Sequence, residues 1–328
     1  MTRGAKKKYL WGWLILAVLA AMAVAVVLNR QRIYDFFRGI SYKPTAEMVG
    51  IREKLNLTDE GVFLFNASRP ELNVRDEFNE KCRAGHDFEV AVLGCYVDGN
   101  IYVYDIESEE LDGIRELTTA HELLHAAYAR MPSAEKEELE PILKKVYAEN
   151  GEILRDDIST YDDESRMEEI YVRAGTEIKT LPDVLEKEYT RIFRNQDGVV
   201  GYYEKYIAVF REVEAEMNAL ADEVETLADS IEEKTDGYER RLGQLNADIV
   251  SFNSCAEVQG CMKSEDEFNT RRAKLVAEQE ALEGLYKEIN ELIEQYNQKI
   301  ETYNKDVLRS NELNRIINSS ERPDLLQE

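Results

Sequence analysis

The chain has 328 residues, 44% of them hydrophobic and 33% charged, with a formal net charge of -25. That length and balance exclude a disordered chain and leave room for one or two domains with sizeable cores. The excess of carboxylates excludes nucleic-acid binding, which depends on lysine and arginine neutralising phosphates.

The N-terminus sets the compartment. A basic tail at 1–8 holds Arg3, Lys6, Lys7 and Lys8, and the uncharged run "YLWGWLILAVLAAMAVAVVL" follows at 9–28. About 20 apolar residues match the length a helix needs to cross a hydrocarbon core. Tyr9, Trp11 and Trp13 stand where interfacial aromatics stand, and the lysine cluster holds that end in the cytoplasm. A single-pass cell-membrane protein is expected, with everything after Asn29 extracytoplasmic. The small-residue patterns "AMA" and "AVA" keep open a cleaved signal peptide and a secreted product. Either way the body of the protein is exported, so its four cysteines read as two disulfides, Cys82 with Cys95 and Cys255 with Cys261, each pair close in sequence.

Residues 29–41 read as a juxtamembrane linker, and the folded part is expected to begin near Tyr42. Met48, Ile51 and Leu55 recur at helical spacing, followed by a turn "LTDEG" and the alternating stretch "VFLFNAS", expected as a strand. "EVAVLGCY" and "IYVYDI", parted by Asp98-Gly99-Asn100, predict a β-hairpin. Helices are predicted at 113–130, stopped by Pro132, and then at 134–149, 163–174 and 182–193. Strands followed by helices, without βαβ alternation, give an α+β domain over 42–198.

From 199 to 318 the pattern changes in kind. Phe210, Val213, Met217, Leu220, Val224, Leu227, Ile231, Tyr238, Leu242, Leu245 and Ile249 are spaced mostly by three and four. A second seam runs Leu282, Leu285, Ile289, Leu292, Tyr296, Ile300, Tyr303 and Val307. Two heptad seams joined by a short loop predict an antiparallel coiled-coil hairpin with its tip at about 250–266, stapled by Cys255 and Cys261. Forty residues per arm would reach roughly 60 Å. Gly237 is a candidate bend, Asn290, Asn297 and Asn304 read as a polar flank, and 319–328 reads as a flexible tail.

The chemistry lies in "TTAHELLHAAYARM", residues 118–131. On a helix, His121 and His125 stand one above the other and can ligate one zinc ion, while Glu122 projects beside them as a candidate base. The flanking Ala120, Leu123, Leu124 and Ala127 supply the apolar surroundings a metal site requires. Only three histidines exist in the chain, and two of them fall at this spacing around a glutamate.

"AHELLH" on a helix that follows a β-hairpin resembles the zincin metallopeptidases. The resemblance covers the motif and its neighbourhood and leaves the coiled-coil half outside. It implies that His121 and His125 are zinc ligands and Glu122 the general base for peptide hydrolysis, and that an edge strand, "IYVYDI" or "EVAVLGCY", pairs with an extended peptide or protein substrate. The metzincin pattern needs a glycine and a third histidine that "HAAYARM" lacks. A gluzincin-like arrangement instead takes a glutamate from a later helix, and "DESRMEEIYVRAGTEI" offers Glu169, with Glu168, Glu164 and Glu177 as alternatives. That helix is expected to end at Gly175. The family has an acidic residue one turn after the ligand, where this chain has Arg173.

His86 is a candidate third ligand or oxyanion donor, though a surface-loop histidine fits its setting better. Tyr128, Tyr161 and Tyr171 are candidate oxyanion donors. Cys95 upstream of the motif is similar to the metal-binding cysteine of peptide deformylases, but the glycine-rich segment of that family is missing and Cys82 offers Cys95 a partner. The competing function is a cell-surface scaffold in which the coiled coil binds a protein partner and the zinc site is structural or latent.

Overall fold

The computed structural model describes residues 3–82, 92–154 and 163–319, with backbone alone for 3–15, 152, 163 and 164. It divides into two compact units, Met1–Val209 with Asn314–Glu328, and Phe210–Leu313. His86, Tyr161 and the tail 320–328 lie outside the described residues.

The first unit is mostly helical around a small sheet. It opens with α1 (Arg3–Leu28) and α2 (Arg30–Ser41), which meet at a bend of 66°. Among the described residues no single helix is long and apolar enough to cross a membrane; Leu16–Leu28 and Arg30–Ser41 pass that test only as a bent pair. Residues 9–15 of the expected span are described by backbone alone. The stretch expected as a linker is α2, and the folded part therefore begins before Tyr42. It is an amphipathic helix whose Asp35 is buried against the rest of the unit, a pairing between distant parts of the chain that no local pattern encodes.

α3 (Ala46–Lys54) starts at Thr45, whose hydroxyl accepts from the Met48 N–H. α4 (Asp59–Ser68) starts at Thr58, which accepts from the Gly61 N–H, and carries Asp59 and Glu60 in its first turn. The expected strand "VFLFNAS" is thus a helix. Buried Gly61, Leu64, Phe65 and Ser68 repeat at i, i+3, i+4 and i+7, a helical face that the short alternation masked. A Cβ at Gly61 would stand 2.2 Å from the Ile192 carbonyl oxygen, so glycine is what lets α4 lie on that backbone.

β1 (Glu71–Asn73), α5 (Arg75–Cys82), β2 (Gly94–Val97) and β3 (Asn100–Tyr104) follow. β2 and β3 form the expected antiparallel hairpin, with Val97 opposite Asn100 and the positive-φ pair Asp98 and Gly99 between them. β1 joins β3 in parallel, giving the order β1-β3-β2. "IYVYDI" is therefore the central strand and not an edge, and β2 is the edge of the hairpin. The Cys82–Cys95 disulfide ties α5 to β2, with Cα atoms 5.9 Å apart.

α6 (Ile114–Arg130) is the motif helix. After it come α7 (Ser133–Glu149), α8 (Gly151–Leu154), α9 (Asp163–Glu177) and α10 (Asp183–Tyr189). The core gathers Met48, Phe65, Ile101, Val103, Leu123, Leu124, Leu143, Tyr171 and Tyr189, all fully or nearly fully buried. α9 does not stop at Gly175. A Cβ there would stand 2.5 Å from Leu124 Cδ1 and 2.7 Å from Tyr189 Cε1, so that glycine allows close packing inside the helix and is not its end.

The second unit is formed by α11 (Gln196–Ala256) and α12 (Glu265–Ile317), long helices whose outer turns belong to the first unit. They run antiparallel, as their cross-helix pairs require. Lys234 meets Glu288 at 2.8 Å, Arg241 meets Glu278 at 2.7 Å, and the Phe252 and Phe268 rings are 5.1 Å apart. Cys255 and Cys261 are bridged at the tip. Helix α11 continues through Gly237 without a break.

Candidate metal centre

α6 buries Ala120, Leu123, Leu124 and Ala126 completely, and it packs against α9, β2 and β3. Those contacts use up the apolar face. His121 and His125, one turn apart, share the remaining side with ring centroids 5.1 Å apart. Their side chains are 24% and 18% exposed, so the pair is partly open to solvent and not sealed in the core.

α9 supplies the carboxylates. Glu169 faces both imidazoles: its Oε1 lies 3.8 Å from His121 Nε2 and its Oε2 3.5 Å from His125 Nε2. One ligating atom from each of His121, His125 and Glu169 lies within 4.8 Å of the other two, the one such group of metal-ligating side chains among the described residues. Two imidazoles and a carboxylate are a donor set suited to zinc, and the spread of the three atoms leaves room for an ion between them.

Glu168, the neighbouring residue, takes a different part. Its carboxylate lies 2.8 Å from His125 Nδ1. With Nδ1 donating to that carboxylate, the ring is held with Nε2 turned to Glu169, as a carboxylate behind a metal-ligating histidine holds its tautomer. Glu177 belongs to neither group. It takes a two-pronged hydrogen bond from Arg173, at 2.9 Å and 3.1 Å, while Arg173 also donates to the Ile153 carbonyl at 2.7 Å. Arg173 thus fastens α9 to α8. The side chain of Glu164 lies outside the described ones.

Glu122 is 5% exposed and leans on the start of β2. A Cβ at Gly94 would stand 2.7 Å from Glu122 Oε1 and 2.6 Å from Thr118 Cγ2. Gly94 was not singled out in the sequence, although a glycine inside a strand pattern is the ordinary sign of a close approach. Tyr128 and Tyr171 are packed in the core with ring centroids 5.2 Å apart, and Tyr171 stacks in turn on Tyr189. Both rings are buried, Tyr128 at 4% and Tyr171 at 0% exposure.

Charge in this cluster is strongly organised. Burial pushes the Glu122 carboxyl up to about 7 and the His121 imidazole down to about 4. Burial also opposes a charged His125, but its hydrogen bonds to Glu168 and Glu169 prevail and hold it up to about 10. Burial likewise opposes a charged Glu169, but its contact with His125 and the neighbouring His121 and Arg173 prevail and hold it down to about 2.

No protein-family model matches the chain, and no curated protein or solved structure matches it either.

Proposed function

We propose that this protein is a membrane-anchored, extracytoplasmic zinc metallopeptidase in which His121, His125 and Glu169 hold the metal. One observation carries the reading: three side chains of the right chemistry, two from one helix and one from a distant helix, converge within 4.8 Å beside a buried glutamate. When bound, zinc supplies Lewis acidity, which makes a water acidic near neutral pH and polarises a carbonyl.

The chain's own groups do the rest. Glu168 orients His125. Glu122 accepts the proton of the attacking water as a carboxylate and returns it to the departing amine as a carboxylic acid. β2, whose first residue abuts Glu122, offers a strand edge for an extended peptide. The exposed apolar run Leu16–Leu28 and the two disulfides support an anchored, exported protein.

The test is metal content and peptide-library cleavage by the full chain in detergent, beside Glu122→Gln. One zinc per chain in both proteins, with cleavage falling by roughly 10²- to 10⁴-fold in the variant, is expected for loss of a proton-transfer group. A protein that takes up no zinc would overturn the proposal.

A further inference from the structure

Helix α2 has two unlike faces. One turns to the protein. Asp35, 2% exposed, is gripped by the Arg130 guanidinium through Nε at 2.9 Å and Nη2 at 3.0 Å. Gln31 donates to the same carboxylate at 3.2 Å. Arg38 donates to the carbonyls of Ala67 and Gly99, each at 2.9 Å, and Arg32 pairs with Glu60 at 2.7 Å.

The other face is open. Ile33, Phe36, Phe37 and Ile40 fall at i, i+3, i+4 and i+7 and are 39%, 53%, 66% and 65% exposed, with Tyr34 beside them at 57%. At about 100° per residue, Arg30 falls in the same stripe, between Phe37 and Tyr34. A soluble surface rarely gathers five large apolar side chains on a 12-residue helix.

Continuity says what covers the stripe. The exposed apolar side chains of Leu16–Leu28 end two residues before Arg30, and the chain then bends by 66°. A helix that leaves a bilayer near its normal and turns through such an angle lies close to the membrane plane. Aromatic and aliphatic residues flanked by an arginine suit the boundary between headgroups and acyl chains.

We infer that α2 lies in the outer interface of the bilayer that holds α1, with Ile33, Phe36, Phe37 and Ile40 in the acyl boundary. Through the Asp35–Arg130 pair it fixes α6 relative to the lipid surface. Arg130 is the last residue of α6, eight residues after Glu122, or roughly 12 Å along the helix axis. The inference rests on the anchored reading proposed above.

The experiment reconstitutes the full chain into phosphatidylcholine vesicles containing phosphatidylglycerol. Nitroxide labels are placed at Phe37→Cys or Ile40→Cys, and at Val184→Cys on α10 as a control, a position 52% exposed. The expected result is an oxygen-to-nickel-chelate accessibility ratio several-fold higher at 37 and 40 than at 184. Equal ratios in protein that floats with the vesicles overturn the interface helix and leave the anchor standing. Labels shielded from both agents, with spin–spin broadening, overturn it in favour of a second copy covering the stripe. A chain that does not float with vesicles overturns the anchor and the inference together.

Discussion

α6 and α12 place charge under opposite conditions. α6 buries ten of its 17 residues, whereas α12 buries three of its 53. α6 is packed on by helices and by the sheet, so the charges it carries are matched where they stand or, as at Glu122, pushed towards the neutral form by burial. Glu116 meets Lys54 at 2.7 Å, His125 meets Glu168, and Arg130 meets Asp35. The charges of α12 face water, and those that pair across the hairpin, such as Glu278 with Arg241, do so at exposed positions. A titratable residue on α6 is thus held in a defined geometry. One on α12 is solvated and replaceable.

The sharpest way to break that comparison is a pair of identical truncations. Leu124→Ala, at a fully buried position in α6, is expected to destabilise the first unit by about 2–5 kcal/mol. Leu308→Ala, at a position 68% exposed in α12, is expected to cost less than about 0.5 kcal/mol. Urea unfolding followed by circular dichroism measures both, and equal losses would sink the distinction.

A smaller effect tests the organised charge itself. Glu168→Gln keeps the size of the side chain but weakens its grip on His125 Nδ1, so for the proposed metal site zinc affinity is expected to fall by about 10–100-fold with the fold intact. Competition against a chelator reads the change. Unaltered affinity would show that Glu168 does not position His125 for the metal.

The smallest effect is expected in the hairpin. Glu278 is held below the usual carboxylate range by its hydrogen bond to Arg241. Any stabilisation from this pair is therefore present above the ordinary glutamate range and lost as the pH falls from there through the lowered native value. Because both groups are exposed, Glu278→Gln is expected to leave the melting temperature unchanged within error at high salt. A large shift would mean that the hairpin carries charge as α6 does.

The sequence by itself determined the long-period and short-spacing features. Heptad seams over many turns led to the antiparallel pair α11 and α12, the pairing of four cysteines followed from proximity, and His121 and His125 share a face because four residues make about one turn. Each of these depends on contacts between residues near in sequence or on a repeat long enough to average out noise. Tertiary structure decided what seven or eight residues could not. "VFLFNAS" fits a strand and a helix almost equally, and the resting place of Gly61 on the Ile192 carbonyl favours the helix. Residues 30–41 looked like a linker because the partner of Asp35 lies 95 residues away on α6. Four glutamates on or near α9 were candidates for one position. Their roles were separated only by the packing of α9 on α6 through Gly175, which turns Glu169 toward both imidazoles, leaves Glu168 behind one ring and gives Glu177 to Arg173.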